Sequence, residues 1–83
     1  DKAFMACESF DYSKGFSTFD ENQAAYKKML MDTANTKIML IDTSKFKKIS
    51  SLTFSKLEDY DYIVTDKVSK EDREKIEKVT KLI

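Results

Sequence analysis

The sequence predicts an α/β fold with three layers, in which a mostly parallel sheet carries two helices. The first observation is the unbroken apolar run at residues 38–41, which is typical of a parallel strand covered on both faces. The second is a helical pattern directly before it, which suggests a strand–helix–strand unit with a right-handed crossover. The third is the apolar run at residues 62–65, followed by another helical pattern. The predicted order is β-α-β-(β)-β-α.

The N-terminal part is predicted to contain a buried strand and a loop. Residues 3–7 form a short apolar run that is typical of a buried strand. Residues 8–18 are polar and aromatic and contain the only glycine, Gly15, so they are predicted to form a loop. Cys7 is the only cysteine and cannot form an internal disulfide. Its apolar neighbours favour a buried packing thiol over a reactive nucleophile.

The first helix is predicted to begin near Glu21, because Asp20 can cap it and Gln23 follows three residues later. It is predicted to end at about Asn35. One face at helical spacing is predicted to be buried, and it consists of Tyr26, Met29, Leu30 and Thr33.

The second half is predicted to contain short elements and a second helix. Residues 52–54 form a short strand or an extended loop, residues 57–60 a turn, and residues 62–65 a third buried strand. Ser69, with Asp72 three residues later, is the expected start of the second helix. Its apolar positions are Ile76, Val79 and Ile83.

The composition fits one soluble domain or part of one, because 41% of the 83 residues are hydrophobic and 36% are charged. Fifteen basic residues balance fifteen acidic ones, which gives no electrostatic case for nucleic-acid binding by this chain. The pairs Lys27–Lys28 and Lys47–Lys48 are predicted to be solvated surface.

Several site types are excluded by residue usage. The chain has no histidine, so Ser-His-Asp and Cys-His pairs and histidine metal sites are impossible. No apolar run is long enough for a signal segment or a membrane span, and the single cysteine suits a reducing, cytoplasmic setting. Gly15 alone is no phosphate loop. No spacing forces two of the candidate carboxylates onto one face, and these are Glu8, Asp11, Asp42 and Asp66. We therefore predict no catalytic residues, metal or cofactor.

The residues after the strand at 38–41 are the candidate ligand site, because open α/β sheets bind ligands at the carboxyl ends of their strands. Asp42 could orient sugar hydroxyls, Thr43 and Ser44 could donate to a phosphate, and Lys45 could neutralise its charge. Alternatively, Asp42 or Ser44 caps a helical turn and Lys45 is solvated. The residues alone leave both interpretations open.

Segments spread over nearly the whole chain point to one family. The most specific are Asp42-Thr43-Ser44-Lys45-Phe46, a D-x-S-K-F turn, and residues 57–66, which read L-x-D-x-D-x-I-x-T-D. Residues 2–5, Asp11, residues 15–18 and the helix around residues 26–29 add to the match. Together they resemble the later part of the C-terminal effector-sensing domain of DeoR-type bacterial transcriptional regulators.

The resemblance implies a sensor of phosphorylated sugars, with a fold similar to ribose-5-phosphate isomerase, sugar-phosphate deaminases and CoA transferases. It implies that Lys45 meets the phosphate and that Asp11 lies near the sugar, so it favours ligand binding over capping. Asp42 and Ser44 are the other two predicted ligand-binding residues. Residues 1–83 would be part of one sensing domain. A DNA-binding winged helix-turn-helix and the first half of the sensor would lie outside this chain, and the full protein would be a homo-oligomer. The start at Asp1 and the end at Ile83 lead us to expect a chain cut at both ends.

The chain departs from the family at two places. Ala6-Cys7-Glu8-Ser9-Phe10 stands where the family usually has glycines, which implies a site of altered shape, and Lys47 replaces the usual glycine after Phe46. Two alternative functions are an isomerase-like or deaminase-like enzyme, and an oligomerisation module. The second would present an exposed apolar patch of Phe16, Phe19 and Phe54.

Overall fold

The computed structural model describes residues 1–46 and 52–83, which form an α/β structure with two helices and two sheets. Two short 3₁₀ turns lie at Thr43–Lys45 and Leu57–Asp59. The lysine pair at residues 47 and 48 lies outside the described residues. The helices and strands are β1 Lys2–Met5, β2 Ser9–Asp11, β3 Gly15–Thr18, α1 Glu21–Thr33, β4 Thr36–Ile41, β5 Leu52–Ser55, β6 Tyr62–Thr65, α2 Lys70–Glu77 and β7 Lys81–Leu82.

The main sheet has the strand order β1-β4-β6-β7, and all neighbouring strands in it are parallel. This confirms the predicted parallel sheet and the strand–helix–strand unit made by β1, α1 and β4. Each strand of this sheet lies on the same side of the strand that precedes it along the chain. Because crossovers between parallel strands are right-handed, every connecting segment is expected on the same face.

The core lies on that one face of the main sheet. Met5, Met39 and Ile63 point into it from three neighbouring strands and are 2% exposed or less. Ala24 and Met31 of α1 and Ile76 of α2 join the same hydrophobic cluster, as do aromatic rings of the second sheet.

The opposite face of the main sheet, which we call the open face, has no cover within the described residues. It consists of Phe4, Ile38, Leu40, Tyr62 and Val64, which lie side by side in the strand register. Phe4 is 62% exposed and Leu40 43% exposed, and the other three are partly buried. The prediction that residues 38–41 are covered on both faces is therefore wrong for the described residues, because both helices and the second sheet contribute to the core on the other face.

A second sheet with the order β2-β3-β5 is antiparallel, and it was not predicted. Residues 8–18 are a hairpin with buried strands rather than a loop. Phe10 and Phe16 lie opposite each other, with ring centroids 4.6 Å apart. The strands have only three and four residues, and polar turn residues separate them, so no strand pattern is visible. Phe16 and Phe54 are buried, so the exposed patch predicted for them is wrong, whereas Phe19 is exposed.

Gly15 is required where the hairpin meets β5. Its φ is +99°, a region that side-chain-bearing residues rarely adopt. A Cβ at this position would lie 2.3 Å from the carbonyl oxygen of Ser55. Glycine therefore permits both the turn and the close approach of the neighbouring strand.

Helix α1 begins as predicted, since the Asp20 side chain accepts a hydrogen bond from the Asn22 N–H at 2.9 Å. Its buried face was predicted correctly only at Leu30, which is partly buried and packs against the core. Tyr26 and Met29 are more than half exposed, whereas Ala24 and Met31 are buried. The small side chain of Ala24 allows a close approach, and a lysine between the two buried positions obscured the pattern.

Helix α2 is capped as predicted, because the Ser69 hydroxyl accepts from the Asp72 N–H at 3.1 Å, and Ile76 is buried. The helix ends at Glu77, and the chain then forms β7 beside β6. The expected continuation of the helical face to Val79 and Ile83 is wrong, because both are at least half exposed.

Candidate functional site

The carboxyl ends of β1, β4 and β6 meet at one edge of the main sheet, which we call the carboxyl edge. The register pairs Met5 with Met39 and Ile41 with Thr65, so the residues that follow these strands are neighbours. They are residues 6–8, 42–45 and 66. The edge contains the D-x-S-K-F turn that the sequence singled out.

The turn at this edge brings Asp42, Ser44 and Lys45 together. The Asp42 carboxylate accepts hydrogen bonds from the N–H of Ser44, at 3.0 Å, and from its hydroxyl. The Lys45 N–H donates to the Asp42 carbonyl oxygen at 3.1 Å. The capping interpretation is therefore correct for Asp42. Lys45 is partly buried and ends the turn.

Asp66 fixes this turn to the neighbouring strand. Its Oδ1 accepts from the Thr43 N–H at 2.9 Å and from the Thr65 hydroxyl at 3.3 Å. The sequence offered Asp66 only as one candidate carboxylate among four. Its position at the end of the T-D motif was the available signal for a role at this edge.

Aromatic packing fixes the far end of the turn. Phe46 follows Lys45, is partly buried against the core, and forms an isolated bridge with Phe10. The two ring centroids are 5.4 Å apart in an edge-to-face arrangement. Lys45 is thus placed between a capped turn and an anchored ring, and its backbone is held at both ends.

Asp11 is not joined to the other predicted site residues. Its carboxylate accepts from the Ser13 N–H at 3.1 Å, the Ser13 hydroxyl and the Lys14 N–H at 3.0 Å. The bond from the Ser13 hydroxyl and those from the two N–H groups lower the pKa of this exposed carboxyl. Asp11 forms no hydrogen bond or ion pair with Lys45, and its carboxylate stabilises its own turn.

The pKa of Cys7 depends on burial and on charged side chains at the carboxyl edge. Burial raises the pKa of its thiol to about 12, which confirms the predicted packing thiol. The positive charges of Lys27 and Lys45 oppose this shift in pKa, and the negative charge of Asp42 adds to it.

Glu8 and Lys27 are further charged residues at this edge. The partly buried Glu8 accepts from the Thr18 hydroxyl at 2.6 Å. Lys27 reaches from α1 and donates to the Ala6 carbonyl oxygen at 2.7 Å. The sequence placed Lys27 in solvent, but it is partly buried, so that prediction is corrected.

Five surface cavities of the described part of the chain lie elsewhere. None of these five shallow surface cavities is lined by Asp11, Asp42, Ser44 or Lys45. One, near the amino end of β4, combines two lysines and two aspartates with Met31, Phe54 and Ser55; these charged residues are Lys28, Asp32, Lys37 and Asp59. In residues 1–46 and 52–83, no group of three or more acidic or cysteine side chains could hold a metal ion. Neither helix in these ranges is long and apolar enough to cross a membrane.

A comparison with family models decides the family. The model of the DeoR C-terminal sensor domain matches residues 1–67. The chain belongs to this family. The match includes all four predicted ligand-binding residues and the whole carboxyl edge. DeoR sensor domains belong to transcriptional regulators and are not enzymes, so the enzyme alternative is not favoured.

Two curated relatives agree with this assignment. The chain is 31% identical over 65 residues to the uncharacterized HTH-type transcriptional regulator YulB of Bacillus subtilis, covering 78% of the chain and 25% of the relative. It is 30% identical over 78 residues to the HTH-type transcriptional regulator GlpR of Haloferax volcanii, covering 93% of the chain and 31% of the relative. The chain therefore spans about a quarter to a third of the length of these relatives.

Proposed function

We propose that this chain is the effector-binding part of a DeoR-type transcriptional repressor and binds a phosphorylated sugar at the carboxyl edge. The observation on which the proposal depends is Lys45, a partly buried cation in a fixed turn at the end of a parallel strand. In this proposal a domain outside the chain binds DNA, and the full-length protein is a cytoplasmic homo-oligomer.

The charges at the edge suit an anionic ligand. In the described part of the chain the ion pairs are Arg73–Glu77 and Lys75–Glu71, both on α2, so Lys45 forms none there. Asp66 and Glu8 accept hydrogen bonds from a backbone N–H and from hydroxyls of the protein itself. A phosphate dianion would supply the counter-charge that Lys45 lacks.

The remaining predicted residues have more limited roles in this proposal. Ser44 is exposed beside Lys45, and its hydroxyl could donate to a phosphate instead of to Asp42. Asp42 holds the turn. The proposal of Asp11 as a sugar contact depends on the family resemblance, and a bound sugar would have to compete with its own turn.

A regulator responds to an effector only when the effector binds one of its states more tightly. The edge offers a route for such a difference. The Lys45 turn is joined to β6 through Asp66 and to the second sheet through Phe46. A ligand that tightened these contacts in one state would shift the repressor toward that state.

Calorimetric titration of the full-length protein with a panel of sugar phosphates tests this proposal. We expect saturable binding by one member of the panel. Lys45→Ala should weaken it by roughly tenfold to a hundredfold, the effect of losing one charge-assisted contact. Lys37→Ala is the matched control, because Lys37 is also partly buried but lies near the amino end of β4, whereas Lys45 follows its carboxyl end. Equal affinities of the two variants would contradict the assignment of Lys45.

We also propose that helices of the same polypeptide, outside these 83 residues, cover the open face and complete a three-layer sensor domain. Parallel sheets in α/β proteins are covered on both faces. The described residues of this chain cover only one face of the sheet, and the relatives are three to four times longer than the matched segment. The resemblance to ribose-5-phosphate isomerase and related folds implies the same architecture.

Thiol labelling can test whether the open face is covered in the full-length protein. In a Cys7→Ala background, Phe4→Cys should react quickly with a thiol reagent in the 83-residue chain. It should be protected in the full-length protein by at least tenfold. Val79→Cys, on an exposed position away from the open face, is the control and should react equally in both. Equal reactivity of Phe4→Cys in the two proteins would contradict the proposal, and concentration-dependent protection would indicate a second copy instead.

A further inference from the structure

Lys27 occupies an unusual position for a lysine near a protein surface. Its side chain leaves α1, passes over the Phe54 ring with Nζ 5.0 Å from the centroid, and ends at the Ala6 carbonyl oxygen, 2.7 Å away. Ala6 is the first residue after β1. The ammonium group therefore lies at the carboxyl edge, although its Cα belongs to a helix on the covered face.

This ammonium group has unused binding capacity. A lysine has three N–H donors, and in residues 1–46 and 52–83 one of them is used, by Ala6. Lys27 forms no ion pair with a carboxylate in that part of the chain. A partly buried cation without a counter-ion is costly unless an anion or water completes its shell.

Lys27 and Lys45 belong to different elements and both contribute to the carboxyl edge. The positive charges of both act on the thiol of Cys7 and oppose the rise in its pKa. Lys45 arrives from the end of β4 and Lys27 from α1, while β1 and β4 are direct neighbours. The carboxyl edge therefore contains two lysines, one that reaches Ala6 after β1 and one in the turn after β4.

We propose that Lys27 belongs to the effector site, where it fixes the segment after β1 through Ala6 and adds a second positive charge to the carboxyl edge for the phosphate of the effector. This inference rests on the proposed function, because it names a further residue of the same site. The segment that Lys27 holds is the one in which Ala6-Cys7-Glu8-Ser9 replaces the usual glycines of the family. A glycine-free segment is stiffer, and Lys27 adds a fixed contact at its first residue.

Three substitutions in the full-length protein separate the charge from the hydrogen bond. Lys27→Met removes both, Lys27→Gln keeps an N–H donor without the charge, and Lys27→Arg keeps both. Lys28→Met is the matched control, since Lys28 is the next residue of α1 and is exposed. The probes are inorganic phosphate and the sugar phosphate that binds the unsubstituted protein, with the corresponding sugar without phosphate for comparison.

We expect Lys27→Met to weaken binding of the sugar phosphate about tenfold, the usual scale for one lost charge-assisted contact. Lys27→Arg should stay within about threefold of the unsubstituted protein on the same scale. Lys27→Gln should fall between the two, and the sugar without phosphate should lose less than the sugar phosphate. Hydrogen exchange at the Glu8 amide, which donates to the Ser17 carbonyl oxygen, should quicken in Lys27→Met and be restored in Lys27→Arg.

The results distinguish the inference from the proposed function. If Lys45→Ala weakens binding but Lys27→Met binds the sugar phosphate as tightly as Lys28→Met does, the role proposed for Lys27 is wrong. The proposed effector site at Lys45 would still be supported. If no sugar phosphate binds the unsubstituted protein, the proposed function fails and this inference fails with it. If Lys27→Met does not fold, the comparison of Lys27→Gln with Lys27→Arg tests the inference. Equal sugar-phosphate affinities of these two variants would show that the positive charge of Lys27 does not contribute to binding.

Discussion

The two faces of the main sheet contain similar side chains in different environments. On the covered face, Met39 is 0% exposed and belongs to a hydrophobic cluster that includes residues of α1, α2 and the second sheet. On the open face, Leu40 follows it along the same strand and is 43% exposed. In α/β proteins, a layer of helices normally covers each of the two faces of a parallel sheet. The difference shows that an apolar run predicts a buried strand, whereas the sheet topology decides which face of that strand the described residues cover.

Truncation of the two neighbouring residues should give the largest contrast. Met39→Ala should lower the free energy of unfolding by about 2–5 kcal/mol, because it leaves a cavity in a packed core. Leu40→Ala should lower it by less than about 1 kcal/mol in the 83-residue chain. Urea denaturation followed by circular dichroism measures both. Equal losses would mean that the open face is already covered, for example by self-association.

Thiol reactivity should separate the covered side from the open face by a large factor. A thiol reacts as its thiolate, and burial raises the pKa of Cys7 to about 12. At pH 8, Cys7 should therefore react with iodoacetamide at least roughly tenfold more slowly than Leu40→Cys in a Cys7→Ala background. As the pH rises, the rate for Leu40→Cys should level off first, and that for Cys7 should keep rising toward pH 12. Matching pH profiles would contradict the burial of Cys7.

The second sheet on the covered face should depend strongly on its glycine. Gly15→Ala should destabilise the protein by about 1–3 kcal/mol, because alanine is strained at positive φ and its Cβ would meet the Ser55 carbonyl. Lys14→Ala, one residue earlier on an exposed position, is the control and should change stability by less than about 0.5 kcal/mol. Thermal unfolding measures both variants. Full tolerance of Gly15→Ala would show that β3 and β5 do not pack this closely.

The smallest effect in this series is expected at the helix cap that positions the covering helix. Asp20→Ala should cost about 1 kcal/mol, since it removes the acceptor for the Asn22 N–H. Asp20→Asn, which keeps a capping oxygen, should recover most of this loss. Chemical denaturation compares the two variants. If Asp20→Asn were as unstable as Asp20→Ala, the cap would not explain the effect.

The sequence predicted the elements that have strong local signals. The parallel sheet, the caps Asp20 and Ser69, and the turn after β4 followed from apolar runs and capping residues. The hairpin at residues 8–18 was missed because its strands are short and its partner β5 is far along the chain. The buried face of α1 was predicted only in part because Lys27 lies between the buried Ala24 and Met31, with its ammonium group over the Phe54 ring and at the carboxyl edge.

The candidate site was only partly visible for the same reason. Asp42, Ser44 and Lys45 are adjacent in sequence, so one turn brings them together. Glu8 and Lys27 reach the same edge through packing between distant elements, which no spacing rule encodes. Asp66 could have been found from its place at the end of a parallel strand, because such ends converge.

Effector binding at the carboxyl edge would be tested most directly by amide chemical-shift mapping of the full-length protein during titration with the sugar phosphate that it binds. We expect saturable shifts at residues 6–8, 42–46 and 66, and smaller ones near the amino end of β4. Shifts confined to the cavity that contains Lys28 and Lys37, or the absence of shifts at residues 42–46 on saturation, would contradict binding at this edge.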